Sequence, residues 1–465
     1  MLTSAQSASI FDKLRRLTSA DEIELLISSG RSALTRFANN TIHQNVAEEE
    51  SHISVRVSFG GRTARATTNK HDDESLRRVV QSAEMLARVQ HTDPDLLPMP
   101  SPDEVAANAK DSGAAEVQRF FEITARLTPQ DRAQAVAEIV DVARKHSLTT
   151  AGIFSSAESV EGIFNSRGVA HWQEQTLAEV SITMLGETSS GWQKANASDA
   201  SQLDPPRLAE IAAEKAIASK NPRELPPGKY TVVLEPAAVL DAVGFMFWDF
   251  GGSALLDQRS FLNDRIGTQL FGENITVWDD VYHPLQTGVP FDGEGMQRHR
   301  LKLIENGVVQ RVTYARSSAH RMQQSNLAAG AVQPTGHGFA LPNEIGEAPL
   351  NIVFEGPAAG PVQTVEQMIA ATERGILVTR LWYIREVDPF EKILTGMTRD
   401  GTFLIEKGRL GGGVLNFRFN ESLLHMLQNV EAMGDPVRSS GEESMDMVVP
   451  PMKVRDFNFT ETTKF

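Results

Sequence analysis

Along residues 51–66 apolar and polar positions alternate, with Ile53, Val55, Val57 and Phe59 on one face, the period of a half-buried strand. Gly60–Gly61 breaks the run as a turn. The period then changes. Over residues 72–89, Leu76, Val79, Val80, Ala83, Leu86 and Ala87 recur at helical spacing, with Asp72 or Asp73 placed to cap. Upstream, the pattern predicts a helix over 7–17, a strand over 22–28 and a further alternating run over 33–46. The same order returns later as a helix over 130–146, a strand over 149–155, a hairpin region over 159–197 and a helix over 206–219. Within it, FNSRGVAHWQEQTLAEVSITMLGETSSGW echoes the earlier FANNTIHQNVAEEESHISVRVSFGGRTAR. A duplication is predicted, with repeats at about 7–91 and 129–220 and residues 92–114 as the linker or surface loop between them. Chance similarity of two strand-rich segments is the alternative.

Pro226–Pro227–Gly228 marks a boundary. Beyond it, strands are predicted at 230–234, 275–278, 300–305, 350–354, 402–406 and 416–419, and helices at 236–247, 365–371 and 421–430. Glu305–Asn306–Gly307 and Arg399–Asp400–Gly401 read as hairpin turns. The fold class expected is α+β in two domains. Residues 1–226 form a duplicated helix–strands–helix domain with a mostly antiparallel sheet, and residues 227–465 a β-rich domain.

Composition narrows the partners. Of 465 residues, 60 are acidic and 45 basic, a formal charge of −15 without any basic run, so nucleic acid is not expected as a partner. There is no cysteine, which excludes disulfides, thiolate–zinc sites and cysteine nucleophiles. The first residues, MLTSAQSASIFDKLRRL, lack a signal-peptide apolar core, and no run of about eighteen apolar residues exists. No membrane span is expected, and a cytoplasmic location is the simplest reading.

Candidate chemistry is sparse. The run VGFMFWDFGG at 243–252 places Phe245, Phe247, Trp248 and Phe250 where they form either an apolar wall for an extended peptide or an ordinary core helix. Asp292 and Glu294, in PFDGEG, are paired carboxylates able to hold an amine or activate water, or simply a turn whose Asp binds local N–H groups. Histidines 283, 299, 320, 337 and 425 show no zincin spacing. His337, between glycines in PTGHG, is the best placed of them for a channel-facing role, or is an ordinary loop histidine. Ser260 and Ser317–Ser318 lack a nucleophile elbow, and Gly411–Gly413 lacks the Lys-Ser/Thr of a phosphate loop. The triple glycine instead predicts a bulge or close backbone approach. Arg380, Arg385 and Arg399 are of the type that binds carboxylates bidentately, or are solvated strand arginines.

Several stretches carry a likeness to one family: GKYTVVLEPAAV at 228–239, RSFLNDRIG at 259–267, GVPFDGEGMQRHRLKLIENGVV at 288–309, PTGHG at 334–338, ERGILVTRLWY at 373–383, TGMTRDGTFLIEKGRL at 395–410 and TRFANNTIHQ at 35–44. In order and spacing the chain resembles the TldD/PmbA family over nearly its whole length. The resemblance implies a two-domain α+β fold and a role in proteolysis of unfolded peptides by a heterodimer. One subunit of that pair carries zinc on HExxxH plus a later cysteine, with the motif's Glu as general base for zinc-bound water; a PmbA-like (TldE-like) subunit lacks the motif. Here the motif positions fall, to within a residue or two, on Val243, Gly244, Phe245, Met246, Phe247 and Trp248, and the late cysteine is replaced within VRSSGEES at 437–444. None of these six supplies imidazole, thiolate or carboxylate. The expectation is therefore the PmbA-like branch: no metal or cofactor in this chain, zinc on a TldD-like partner, and no catalysis by the chain alone. It would take unfolded peptide as substrate and work as a heterodimer, with Phe245, Phe247, Trp248, Asp292, Glu294 and His337 as substrate-contact candidates. An independent metallopeptidase with relocated ligands and a non-catalytic homodimeric peptide-binding scaffold are the alternatives.

Overall fold

A computed structural model describes residues 1–325, 331–357 and 360–463. The first half comprises α1 (Ser4–Leu17), β1 (Glu22–Ala38), β2 (Thr41–Phe59), β3 (Arg62–Thr68), α2 (Asp73–Val89), α3 (Pro102–Ala109), α4 (Glu122–Ala125), α5 (Pro129–Lys145), β4 (Thr149–Asn165), β5 (Ala170–Leu185), β6 (Ser190–Ala197) and α6 (Pro205–Ala218). The six strands make one antiparallel sheet in the order β3-β2-β1-β4-β5-β6. Each half of it repeats helix–three strands–helix, and β1 meets β4 antiparallel at the centre, from Glu24 opposite Asn165 to Phe37 opposite Gly152. Alternation then sorts the side chains. Ile23, Leu25, Ile27 and Phe37 lie on one face of β1 and enter two apolar clusters, one under α1 and α2, the other under α5 and α6. Residues of the opposite parity, among them Glu24, Ser54, Arg56 and Arg65, form a buried or half-buried polar face. That face meets the second domain, with Arg65 donating to Leu341 O at 2.7 Å.

The second half contains β7 (Gly228–Leu234), α7 (Pro236–Val243), a 3₁₀ turn (Gly244–Asp249), α8 (Gly252–Leu256), β8 (Val277–Asp279), β9 (Leu301–Glu305), β10 (Val308–Val309), α9 (Arg316–Gln324), β11 (Ile352–Phe354) and α10 (Val365–Ala370). It continues with β12 (Arg374–Asp388), β13 (Ile393–Glu406), β14 (Arg409–Gly413), β15 (Phe417–Ser422), α11 (Leu423–Gln428), β16 (Val430–Met433), β17 (Val437–Ser439), β18 (Met447–Val449) and β19 (Met452–Thr462). One sheet runs β10-β9-β8-β11-β18-β17; another runs β12-β7-β19-β15-β13-β14, and pairing of β12 with β13 closes it on itself. A large apolar core fills the space between these sheets and α7. The fold is thus α+β with largely antiparallel sheets. Among the described residues, no helix is long and apolar enough to cross a membrane.

Four local expectations change. The run over 33–46 is not one strand, because Asn39 and Asn40 both take positive φ (51° and 59°) and turn the chain between β1 and β2. Residues 92–114 are not a bare linker, since Ser101 caps α3, Val105 packs with Val169 and Met296, and Asn108 donates to Pro334 O at 2.7 Å. Asp400–Gly401 is no hairpin turn but an irregularity inside β13, where the register against β12 shifts between Val378 and Arg380. The helix expected over 236–247 is α-helical only to Val243 and then tightens to 3₁₀. By contrast Asn306–Gly307 does turn the β9–β10 hairpin, with φ of 47° and 80°.

Candidate functional site

The aromatic segment follows β7 and α7, where Pro236 starts the helix without needing an N–H partner. Its side chains divide sharply. Phe247 is fully buried, packed on Phe250 and Phe354 with ring centroids 5.6 and 6.4 Å away. Phe245 is half-buried against the same core, whereas Trp248 is 48% exposed and lies 6.5 Å from the ring of Phe339. Phe247 thus has no surface to offer a ligand, which corrects its place among the contact candidates. Exposed Trp248 and half-buried Phe339 form the apolar shelf, with Phe245 three residues before Trp248 and turned to the core.

Two buried acids, Asp249 within this run and Asp241 just before it, hold it in place. Asp249 is buried against Lys392 from the β12–β13 turn, itself also 2.7 Å from Glu386, and accepts from Phe261 N at 3.3 Å. Burial raises the pKa of Asp249 while Lys392 opposes the shift. Asp241, one turn before Gly244, accepts from Glu442 and Glu443 N–H, both at 3.2 Å. Burial pushes its pKa up to about 7, and its second oxygen has no partner. The segment 437–444 therefore folds directly onto the aromatic segment. A Cβ on Gly244 would sit 1.7 Å from Ser444 Oγ and 2.4 Å from Ser444 Cβ, so only glycine admits this contact. From the first domain, Lys194 reaches Gly441 O at 3.1 Å, and Asn196 reaches Asp446 at 2.6 Å, bracing the same segment.

The two places where a zinc set would be divided thus meet in space, but with glycine, serine and aromatic groups facing each other. Among the described residues no three His, Cys, Asp or Glu side chains form a metal-holding group. The nearby Asp249 carboxylate is already neutralised by an ammonium. These donors do not fit zinc.

Asp292 and Glu294 sit further along the same surface, but inside it. Asp292 is 8% and Glu294 2% exposed. Asp292 accepts from Glu294 N, Met296 N and Gly338 N at 2.8–2.9 Å; Glu294 accepts from Arg316 N at 3.2 Å and lies 3.5 Å from the Arg316 guanidinium. Burial, then the Glu294 charge, raises Asp292 to about 7. Burial likewise raises Glu294, against the pull of Arg316 and Arg56. Enclosed and committed to these partners, neither carboxylate faces a peptide in the single chain.

His337 is buried too. Its Nε2 is 2.9 Å from Asp279 Oδ1 and its Nδ1 2.9 Å from Thr335 Oγ1, while Asp279 also takes Arg298 at 2.9 Å and Asn351 N at 2.8 Å. This His–Asp–Arg cluster has no open side, which corrects the channel-facing reading of His337. Burial lowers the His337 pKa although Asp279 pulls the other way. Residues 335–339 nonetheless join all the candidates. His337 points to Asp279, Gly338 N–H to Asp292, and Phe339 to Trp248. Of the arginines, Arg380 is buried against Asp400 and between the rings of Trp192 and Trp382, while Arg385 lies on exposed Tyr383. Ser260 is spent on Asp249 O and Ser318 on Glu347, so neither is a free nucleophile. A Cβ on Gly413 would lie 2.6 Å from Ser219 Cα, so the backbones approach closely there, as expected. Sequence reading missed Phe339, Lys392 and Asp241; an acid inside an apolar run was the one signal that pointed to the last.

Comparison with known proteins places this geometry. Residues 23–87 match PmbA/TldA metallopeptidase domain 1, residues 123–220 the central domain and residues 227–461 the C-terminal domain. The chain is 22% identical over 447 residues to the metalloprotease PmbA of Escherichia coli O157:H7, covering 93% of this chain and 91% of that one. It is 21% identical over 461 residues to a PmbA homologue of Haemophilus influenzae, covering 93% and 94%. In fold it is similar to TldE from Thermococcus kodakarensis, with a TM-score of 0.84 at 18% identity over 98% of this chain and 100% of that one. A putative modulator of DNA gyrase from Thermotoga maritima gives 0.81 at 18% identity over 97% and 100%. The first two matched domains are the two halves of the single β3–β6 sheet, and the third carries the aromatic segment and its bracing loop. With all three domains matched in chain order from 23 to 461, the chain belongs to the PmbA/TldA metallopeptidase family, the TldD/PmbA family of the sequence resemblance.

Proposed function

We propose that this chain is the non-metal, TldE-like subunit of a two-chain peptidase, binding unfolded peptide beside a zinc-bearing relative. The observation that carries the proposal is the contact of Gly244 with Ser444. The two segments expected to share a metal touch, yet glycine and serine stand at the point where they meet. On this reading the partner supplies the metal chemistry, and this chain supplies the Trp248–Phe339 shelf, which suits an apolar side chain of an extended peptide. The buried state of Asp292, Glu294 and His337 supports a role in holding the shelf rather than in touching substrate.

A cytoplasmic location is part of the same proposal. Purification of the tagged chain from its native cells tests it. A zinc-bearing homologue in equimolar amount is expected. A homodimer free of any such relative would instead favour a peptide-binding scaffold.

A further inference from the structure

The loop Phe291–Met296 wedges between the two domains. Phe291 stacks on His171 of β5 with centroids 5.2 Å apart, and His171 Nε2 is 3.1 Å from Gly295 O. Gly295 has φ of +85°, and a Cβ there would lie 3.0 Å from Val169 and 3.5 Å from Ile163. Met296 completes the contact with Val169 and with Val105 of α3. An apolar wedge would be the ordinary way to glue two domains. This one instead carries two buried carboxylates, both reaching one point beside Gly338. A Cβ at that glycine would be 2.8 Å from Glu294 Oε1 and 3.2 Å from Asp292 Oδ2.

The charged groups facing the pair come from both domains. Glu24 of β1 binds Arg56 of β2 and Arg65 of β3 at 2.9 and 2.6 Å on the sheet face toward the loop. Arg56 and Glu24 are both felt at Glu294. Arg316, at the start of α9, is shared between Glu294 and Glu104 of α3. On β4, Glu161 shares the face of Ile163, held by Gln175; Glu347 takes Ser318 of α9 at 2.8 Å; His337 and Arg298 are turned away onto Asp279. Glu24, Asp292, Glu294 and Glu104 thus face Arg56, Arg65 and Arg316, one carboxylate more than there are cations, and Glu161 and Glu347 add two acids with no ion pair among the described residues. A proton held on the Asp292–Glu294 pair reduces the negative excess of the cluster. A second ionisation inside it meets repulsion that buried surroundings do not screen.

We propose that the Asp292–Glu294 pair is a pH-sensitive clasp between the domains, docking them firmly while it holds one proton and loosening them when both carboxylates ionise. This is independent of the peptidase reading and stands or falls without a partner subunit. Burial raises both groups, so their contribution is fully present below the ordinary carboxylate pKa of about 4; that of Asp292 is lost as pH rises through about 7, and that of Glu294 as pH rises through its own raised value. His171, lowered by burial, acts in the opposite sense, losing stability as pH falls below about 6.5. The raw pH profile therefore mixes the two, and a difference between variants separates them.

The test compares full-length wild type with Glu294→Gln, which removes one ionisation and keeps an acceptor for Arg316 N–H. Thermal unfolding is followed from pH 5 to 8.5. The variant is expected to gain on wild type as pH rises, by roughly 1–2 °C across the range, since a modest stability change moves the midpoint less in a chain of this size than in a small domain. Because the chain has no cysteine, Val169→Cys adds a single reporter in the interface. Its thiol-labelling rate, normalised to the unfolded chain at each pH, is expected to rise with pH in the wild-type background, by at most about tenfold per pH unit for one proton, and to stay flat with Glu294→Gln. Parallel profiles in both backgrounds overturn the proposal. If Glu294→Gln does not fold, Asp292→Asn is read by the same comparison and the same two outcomes.

Discussion

The aromatic segment at 243–252 and the PFDGEG loop at 290–295 carry their chemistry the wrong way round. The first is apolar and lies where a metal site is expected, yet it puts Trp248 in solvent, hides the acid Asp249 and follows just behind a second buried acid, Asp241 of α7. The second is charged and looks reactive, yet its carboxylates are enclosed between two domains. What a segment is made of therefore says less about its role than what its neighbours do with it. Lys392 and the N–H groups of residues 442–443 make buried acids tolerable beside Phe247; three N–H groups and Arg316 do so for Asp292 and Glu294.

The contrast breaks most directly within the aromatic segment itself. Phe247→Ala empties a fully buried site and is expected to cost roughly 3–5 kcal/mol in urea unfolding. Lys392→Met leaves Asp249 buried without its cation; because Asp249 can take up a proton, the loss falls near the low end of the range for a broken buried pair, about 3 kcal/mol. Gly244→Ala collides with Ser444 and is expected to cost about 1–3 kcal/mol, most of it recovered in the double variant with Ser444→Gly. A failure of that rescue would contradict the packing of the two segments. Trp248→Ala is expected to change stability by under about 1 kcal/mol, since half its surface is already in water. In the assembled peptidase it is nonetheless expected to weaken peptide binding at least tenfold, as loss of an aromatic anchor does.

The loop region supplies a sharper comparison through pH. Burial raises Asp279, but Arg298 and then His337 overcome it and hold this carboxyl well below the usual range. Its stabilisation is present above about pH 4 and is lost as pH falls, the reverse of Asp292 and Glu294. Asp279→Asn is therefore expected to flatten the acid side of the unfolding profile between pH 5 and 3, and Glu294→Gln its neutral side. Identical profiles for the two variants would remove the distinction.

Much of the fold was legible because its signal is local. Ile53, Val55 and Val57 alternate, Leu76 to Ala87 keep helical spacing, and both repeats show the same order of periods. What was not legible depends on distant partners or on residues that read two ways. Asp400–Gly401 has turn chemistry, yet β12 holds it inside a strand. Asn39–Asn40 turns β1 into β2 in the middle of an alternating run. Helix α9 has too few apolar residues to declare a face, since its N-terminus is fixed by Glu294 and Glu347 from elsewhere in the chain. At the site, the lack of imidazole and carboxylate side chains at residues 243–248 could be read directly. The Phe339 half of the shelf and Lys392 could not, because they lie 91 and 144 residues from Trp248 in the chain.

The central claim is that this chain completes a peptidase without holding its metal. The most direct measurement is hydrolysis of an unstructured peptide by the purified chain alone and after mixing with a zinc-bearing family member from the same cell, with bound zinc determined on each. The account predicts neither stoichiometric zinc nor hydrolysis for the isolated chain, and hydrolysis by the mixture that falls with Trp248→Ala. One zinc per chain, together with hydrolysis by the chain alone, would contradict it.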